Sequence, residues 1–299
     1  MIQPRILVTG GSGYLGGWVV RLARAGWSVT VTYLTHPPAD PDPVTSWRWL
    51  DARDGPAVRA LVETVRPAVV VHTAALNPGQ GQDFDAVNAE GAGHVARAAA
   101  AVGARLIHVS TDVVFDGKKG GYTAADPLSP ITPYGRSKAL AEGAVREAGG
   151  EAVIVRTSLI YGWRPTAARQ VSWIVEAAAR GGTVRLFTDE RRCPVWVESL
   201  AAALVELAGL AHTGVLHVAG TQALSRYEFG RRLLRFHGLD PALAVPVSSR
   251  ESGLVCPLDC TLDCARARKL LRTPLPGVDE VLARCRRDAA DRLGPVVQL

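Results

Sequence analysis

The sequence predicts a doubly wound α/β fold, a parallel sheet with helices on both faces. Two observations carry this. Through the first half, short apolar strand patterns alternate with helical patterns of ten or more residues. The strands also read as near-continuous apolar runs, such as Val69-Val70-Val71, as expected where both faces are buried. Right-handed crossovers between parallel strands then give the doubly wound arrangement.

The elements follow in order. Residues 5–9 are a short apolar strand, and 15–25 have helical spacing that stops at Gly26. Residues 28–33, rich in Val and Thr, form the second strand, and the Pro-rich run 36–43 is a surface loop. A strand is expected at 47–50, a helix at 54–65, a buried strand at 68–72 and one long Ala-rich helix at 84–102. Strand 105–110, helix 133–148 and strand 152–156 complete the first half. Beyond Tyr161 the rhythm loosens: helices at 167–179 and 200–210, strands at 184–187 and 215–218, then helices mixed with Pro-rich turns. This predicts a main domain over 1–160, which also receives about 194–222, interleaved with a smaller C-terminal α/β lobe over 161–299 that would bind substrate.

Composition excludes several classes. With 299 residues, 47% hydrophobic and 21% charged, the chain can build a large core and is not disordered. The 34 Lys+Arg against 28 Asp+Glu leave +6, enough to favour anions without naming one. No run of five like charges suggests a nucleic-acid arm, and no stretch of about 18 apolar residues suggests a membrane span. The start lacks a signal-peptide pattern, and five cysteines, an odd number, predict free thiols in a reducing, cytoplasmic compartment. Cys256, Cys260 and Cys264 invite a metal reading, but there is no CxxC pair and no ligand-spaced His, and Pro257 interrupts a shared helix, so no metal site is predicted.

The chemistry begins at Gly10, Gly13 and Gly16, between the first strand and the first helix. Glycines there allow a tight turn and close backbone approach, and the helix N-terminus at Tyr14 and Leu15 supplies free N–H groups to a pyrophosphate. A dinucleotide site that prefers NAD places an acid at the end of the second strand, to hold the ribose hydroxyls. Residues Tyr33-Leu34-Thr35-His36 contain none, so NADP(H) is favoured and NAD(H) remains compatible. Asp51 is a candidate for the adenine edge, with helix capping before Pro56 as its structural alternative.

Tyr134 and Lys138 are four apart on one helix, hence on one face. A free tyrosine, pKa about 10, is a poor acid–base, and a nearby ammonium is expected to draw that value down. Ser110 and Thr111 end a strand at the carboxyl edge, where ligands bind in such sheets, and supply the hydroxyl such chemistry needs.

Several blocks then carry a resemblance: VTGGSGYLGG at 8–17, RPAVVVHTAAL at 66–76, VNAEGA at 87–92, HVSTDVVFDG at 108–117, PLSPITPYGRSKALAE at 127–142, VIVRTSLIYG at 153–162, LHVAG at 216–220 and SRYEFG from Ser225. The chain resembles the extended short-chain dehydrogenases and, within them, the dTDP-4-dehydrorhamnose reductase group. The resemblance implies a Rossmann-type cofactor domain. It makes Tyr134 the proton donor, Lys138 the holder of the nicotinamide ribose, and Thr111 the ligand of the substrate oxygen. Ala74 and Ala75 would run past the cofactor, with Asn88 near its pocket, and hydride would pass to the 4-keto group of a nucleotide-linked deoxysugar. Arg191 and Arg192 lie where the group brings a loop near the cleft, and are expected, with Ser110, to face the substrate.

The chain departs from the group at Val113, where Tyr is usual, at 77–82, where an acidic stretch is usual, and at 192–195. These departures keep two alternatives open: a nucleotide-sugar epimerase, and a non-catalytic NADP-binding subunit like the beta subunit of methionine adenosyltransferase. A homodimer is a prior of such folds rather than a reading of these residues.

Overall fold

Residues 5–9 form a strand because four of the five side chains are apolar or small enough to be buried on both sides, and Gly10 then turns the chain. This strand, β1 (Arg5–Thr9), is the axis of the computed structural model, which describes residues 3–37, 44–163 and 168–293. The chain continues through α1 (Tyr14–Ala23), β2 (Ser28–Tyr33), β3 (Ser46–Trp49), α2 (Gly55–Val65) and β4 (Val69–His72). A π-helical segment, Asp85–Glu90, leads into α3 (Gly91–Ala101), followed by β5 (Arg105–Thr111), α4 (Pro133–Glu147) and β6 (Ala152–Thr157).

The second half contains β7 (Ile160–Tyr161), α5 (Arg169–Ala179), β8 (Val184–Phe187), β9 (Arg191–Arg192), β10 (Val195–Trp196), α6 (Val197–Ala208) and β11 (Gly214–His217). It ends with β12 (Leu224–Ser225), α7 (Arg226–Phe236), β13 (Ala244–Val247), α8 (Ala265–Leu270) and α9 (Val278–Leu293).

Seven strands form one parallel sheet in the order β11-β6-β5-β4-β1-β2-β3. This is the doubly wound sheet the sequence predicts. Alternate residues serve opposite faces. Ile6, Val8, Val69, Val71 and Ile107 pack with α1 and α6, while Leu7, Val70, Leu106 and Ile154 pack under α2 and α3. A separate core gathers Tyr161, Ile174, Leu186, Trp196, Phe229 and Leu233 from the second half, with β13 pairing β8 in parallel. β1 and β4 end side by side, Thr9 opposite His72, and the order reverses there, so the carboxyl edge opens the crevice in which such sheets bind ligands.

Two expectations change. The helix expected over 84–102 is divided, its first six residues from Asp85 taking the wider π turn. Strand β5 also runs one residue further, to Thr111. The loop expected at 36–43 falls largely outside the described residues. Among the described residues no helix is long and apolar enough to cross a membrane, and no group of His, Cys, Asp or Glu is placed to hold a metal. Cys193, Cys260 and Cys264 are buried, and Cys256 and Cys285 are half-buried.

Candidate active site

The glycine turn is built by close approach. Gly10 has φ +72°, and a Cβ there would stand 2.6 Å from the Ala74 Cα and 2.7 Å from its N. A Cβ on Gly16 would collide with the carbonyl of Gly10. Only glycine therefore lets β1, the β4 exit and the start of α1 meet. Gly13 caps α1 without a side-chain acceptor. The first N–H groups, at Tyr14, Leu15 and Gly16, have no partner within the helix, so the turn presents uncapped donors and the positive end of a ten-residue helix. This cradle fits a pyrophosphate. The Tyr14 side chain does not join it: its hydroxyl is buried against Gly162 beside Trp196. Leu15 is core.

Asn88 sits at the π turn and is 1% exposed. It accepts from Leu76 N (2.7 Å) and donates to Leu76 O (3.0 Å) and to Ser137 Oγ (3.0 Å). Ser137 in turn donates to the carbonyl of Tyr134 (2.8 Å). One amide thus clamps the Ala74–Ala75–Leu76 segment to the helix that bears Tyr134.

Helix α4 starts where Thr132 accepts from Gly135 N (3.0 Å), with Pro133 in the first turn. A Cβ on Gly135 would strike the Val113 carbonyl, so this glycine lets α4 lie against the turn that follows Thr111. Tyr134, half-buried, is hydrogen-bonded to Thr111, and Phe84 stands edge-on to its ring at 6.0 Å. Thr111 also donates to Asp112 Oδ1 (3.2 Å), and Ser158 donates to Asp112 Oδ2 (2.5 Å). Lys138 is 2% exposed and donates to the Val109 carbonyl at 2.7 Å.

The electrostatics reverse one expectation. Burial, and then the charge of Asp112, push the Tyr134 phenol well above its ordinary value, opposed by its hydrogen bond with Thr111. Lys138 does not acidify it here: burial weakens that ammonium itself, lowering it to about 8 against a raising influence from Glu142. Tyr134 is consequently protonated at neutral pH, the form a proton donor needs. Burial also raises the Asp112 carboxyl, opposed by Arg192, Ser158 and Thr111.

Other expected site residues are placed differently. Ser110 is 3% exposed and donates to Glu142 Oε1 (2.7 Å), so its hydroxyl is committed inside the protein. Arg192, 5% exposed, donates to the carbonyls of Arg191 (2.7 Å), Leu258 (2.9 Å) and Pro257 (2.9 Å), and lies 3.6 Å from Asp112 and 3.1 Å from Glu190. Its donors brace the segment at 257–258 against Asp112 and Glu190. Arg191 is half-exposed, with loose ion pairs at 3.8 Å to Glu228 and to Asp259. Asp51 is held by Arg53 (Nε 3.0 Å, Nη2 2.6 Å), and the cap of α2 is Asp54, which accepts from Ala57 N (3.0 Å). Thr35 and His36, exposed beyond β2, hydrogen-bond each other at 2.8 Å, in the region that lacks an acid.

Sequence reasoning passed over Glu142, which had a signal: it continues the one-turn spacing from Tyr134 through Lys138 along the same helix face.

A doubly wound sheet with a glycine cradle and a Thr-Tyr-Lys cleft at its carboxyl edge defines a protein of the extended short-chain dehydrogenase class. The chain belongs to the RmlD substrate binding domain family, whose model matches residues 4–290. It is similar to the dTDP-4-dehydrorhamnose reductase of Mycobacterium tuberculosis H37Rv, 37% identical over 261 residues that cover 83% of this chain and 81% of the relative. Among solved structures it is similar to a hypothetical dTDP-4-dehydrorhamnose reductase from Sulfolobus tokodaii, with TM-score 0.81 and 31% identity over 93% of this chain and 98% of the other. The Bacillus anthracis dTDP-4-dehydrorhamnose reductase in complex with NADP matches with TM-score 0.80 and 26% identity, over 95% of this chain and 98% of that one.

Proposed function

We propose that this protein is an NADPH-dependent reductase that acts on the keto group of a nucleotide-linked deoxysugar, with Tyr134 as the proton donor. The observation that carries the reading is the Thr111–Tyr134 hydrogen bond, with Lys138 one turn further along α4, on a parallel sheet whose β1 leads into the Gly10–Gly16 turn at the same carboxyl edge. Membership of a family whose relatives are named as keto-sugar nucleotide reductases supports it. NADPH is favoured because residues 33–36 offer no carboxylate to repel a 2′-phosphate, and NADH remains compatible.

In this reading the backbone at 13–16 holds the pyrophosphate, and Ala74 and Ala75 line the path that Asn88 fixes. Lys138 holds the nicotinamide ribose, and the bound nicotinamide supplies hydride to the carbonyl carbon. Thr111 orients the substrate oxygen. Tyr134, kept protonated by burial, gives that oxygen its proton as the alkoxide forms. Arg191 is the remaining candidate for the substrate's phosphates.

The test is NADPH consumption with a panel of dTDP- and UDP-linked 4-keto sugars. Tyr134→Phe should reduce kcat by about 10²–10⁴-fold while NADPH binding persists. Unchanged turnover in this variant would remove Tyr134 from the mechanism. Binding of NADPH without turnover of any sugar would favour a regulatory subunit.

A further inference from the structure

Beneath the cleft lie two histidines that the reaction does not use. His72 and His108 are cross-strand partners on β4 and β5, and their rings stack at 5.4 Å with 23° between planes. They are 1% and 0% exposed. His72 Nδ1 shares a hydrogen bond of 2.6 Å with Thr9 Oγ1, on the residue before Gly10. His72 Nε2 and both ring nitrogens of His108 are buried without a protein partner. Lys138 Nζ is bonded to the carbonyl of Val109, the residue after His108. A polar row therefore crosses three strands, Thr9, His72, His108, and ends beside Lys138.

Buried polar nitrogens without partners are costly in an interior that could have been apolar. Leu7, Val70 and Leu106 fill the same face two residues earlier on each of these three strands. A neutral imidazole keeps a lone pair and a dipole that soften the desolvation of a neighbouring ammonium, whereas an aliphatic side chain offers neither.

We propose that His108, backed by His72, is a positioning residue for Lys138: the stacked, uncharged imidazoles form a polar floor that keeps the lysine's charge at the head of the cofactor site. The inference rests on Lys138 holding the cofactor, as proposed above. Burial, then the charge of Lys138, keeps both rings neutral: His72 is lowered to about 3, and His108 well below its ordinary value with His72 adding to the effect. The cluster thus holds a single positive charge, on the lysine. The other ionisable groups around it are Tyr134 and Glu142 on α4, Asp112 after β5, which acts on Tyr134, and Arg156 on β6, which is neutralised by Glu142.

The experiment is the pH dependence of NADPH affinity, followed by fluorescence on the whole protein. Wild-type affinity should fall as pH rises through about 8, where Lys138 loses its charge. His108→Leu should bind as wild type at low pH but move that midpoint down by about one unit, roughly a fivefold weakening at the wild-type midpoint that approaches about tenfold above it. His108→Asn, polar and uncharged, should restore it. A wild-type midpoint in His108→Leu, or an equal loss at every pH, overturns the proposal. If His108→Leu does not fold, His72→Val serves in its place. Histidine ¹⁵N shifts of the wild type decide independently: the rings of His72 and His108, assigned by the loss of their signals in the two variants, should stay neutral, each in one tautomer, down to pH 5, and titration of either near the ordinary value would refute the idea. If the wild type binds NADPH and the variants keep its midpoint, this inference alone fails. If it binds no NADPH at any pH, the cofactor reading falls and takes this inference with it.

Discussion

Arg156 and Glu142 form a two-point buried ion pair, Nε to Oε1 at 2.9 Å and Nη2 to Oε2 at 2.8 Å, with side chains 2% and 0% exposed. It ties the end of β6 to the helix that carries Tyr134 and Lys138, and Ser110 and Arg146 complete the carboxylate. Burial works against the Glu142 charge, but the bond and charge of Arg156 hold its pKa below the ordinary 4.5. Glu142→Ala would strand a buried guanidinium and should cost about 3–5 kcal/mol in urea denaturation. In the wild type this stabilisation is present above the unfolded value and is lost as pH falls through the lower folded one. A loss in Glu142→Ala under about 1 kcal/mol would show that the pair is dispensable.

Gly10→Ala should fail for two separable reasons. Its φ of +72° is unfavourable for alanine, and the new Cβ meets the Ala74 backbone at 2.6 Å, which no rotamer can relieve. Together these should cost about 2–5 kcal/mol. Because Ala74 would be displaced, NADPH affinity should fall along with the melting temperature. Gly26→Ala, with open space around the new Cβ, is the control and should change neither.

The central sheet was legible because its strands are apolar on both faces, and the cofactor turn because glycine spacing and helix start coincide. The short pairings in the second half were not, since two residues such as Ile160–Tyr161 or Leu224–Ser225 carry no period. The π turn escaped because Asp85–Glu90 has ordinary helical composition. Its cause is tertiary, the reach of Asn88 to Leu76 and Ser137. Of the proposed site, Thr111, Tyr134 and Lys138 are singled out by spacing, but the side-chain directions of Ser110 and Arg192 could not be. Both stand in sequence beside residues of the proposed site, and what turns them inward is Glu142 in one case and three carbonyls in the other.

The pH profile of the wild-type reaction should show an alkaline limb. Lys138 is lowered to about 8, chiefly by burial, so its cation is complete well below that pH and is lost as pH rises through it. With Tyr134 held protonated far above this range, the limb in kcat/KM reports the lysine. Lys138→Met should remove the limb and leave about 10²–10³-fold less activity below it. A limb that survives in this variant would belong to another group.

Burial divides the five thiols. Cys193, Cys260 and Cys264 share one apolar cluster with Phe115 and Tyr122, and desolvation pushes Cys193 up to about 11 and Cys264 to about 12. Cys256 and Cys285 are half-buried. A chromogenic disulfide reagent at mildly alkaline pH should therefore titrate two thiols quickly in the native protein and five in denaturant. Rapid native reaction of all five would place the Phe115 cluster in reach of solvent.

Arg191 and Arg192 should part company under mutation. Arg192 spends its donors on three carbonyls and stands near Asp112 and Glu190 while almost wholly buried. Arg192→Ala takes the side-chain donor from the Pro257 carbonyl, while those of Leu258 and Arg191 keep backbone donors, and it strips the countercharge from the buried Asp112, which predicts a stability loss of about 3–5 kcal/mol. Arg191, about two-fifths exposed, makes two ion pairs only at 3.8 Å, and Arg191→Ala should change stability by less than about 1 kcal/mol. If Arg191 meets the substrate's phosphates, the same variant raises KM for a nucleotide sugar with kcat little changed, the pattern of lost uniform binding. Thermal melts and steady-state kinetics on the two variants separate the roles. An unstable Arg191→Ala beside an intact Arg192→Ala would reverse the assignment of brace and ligand-facing cation.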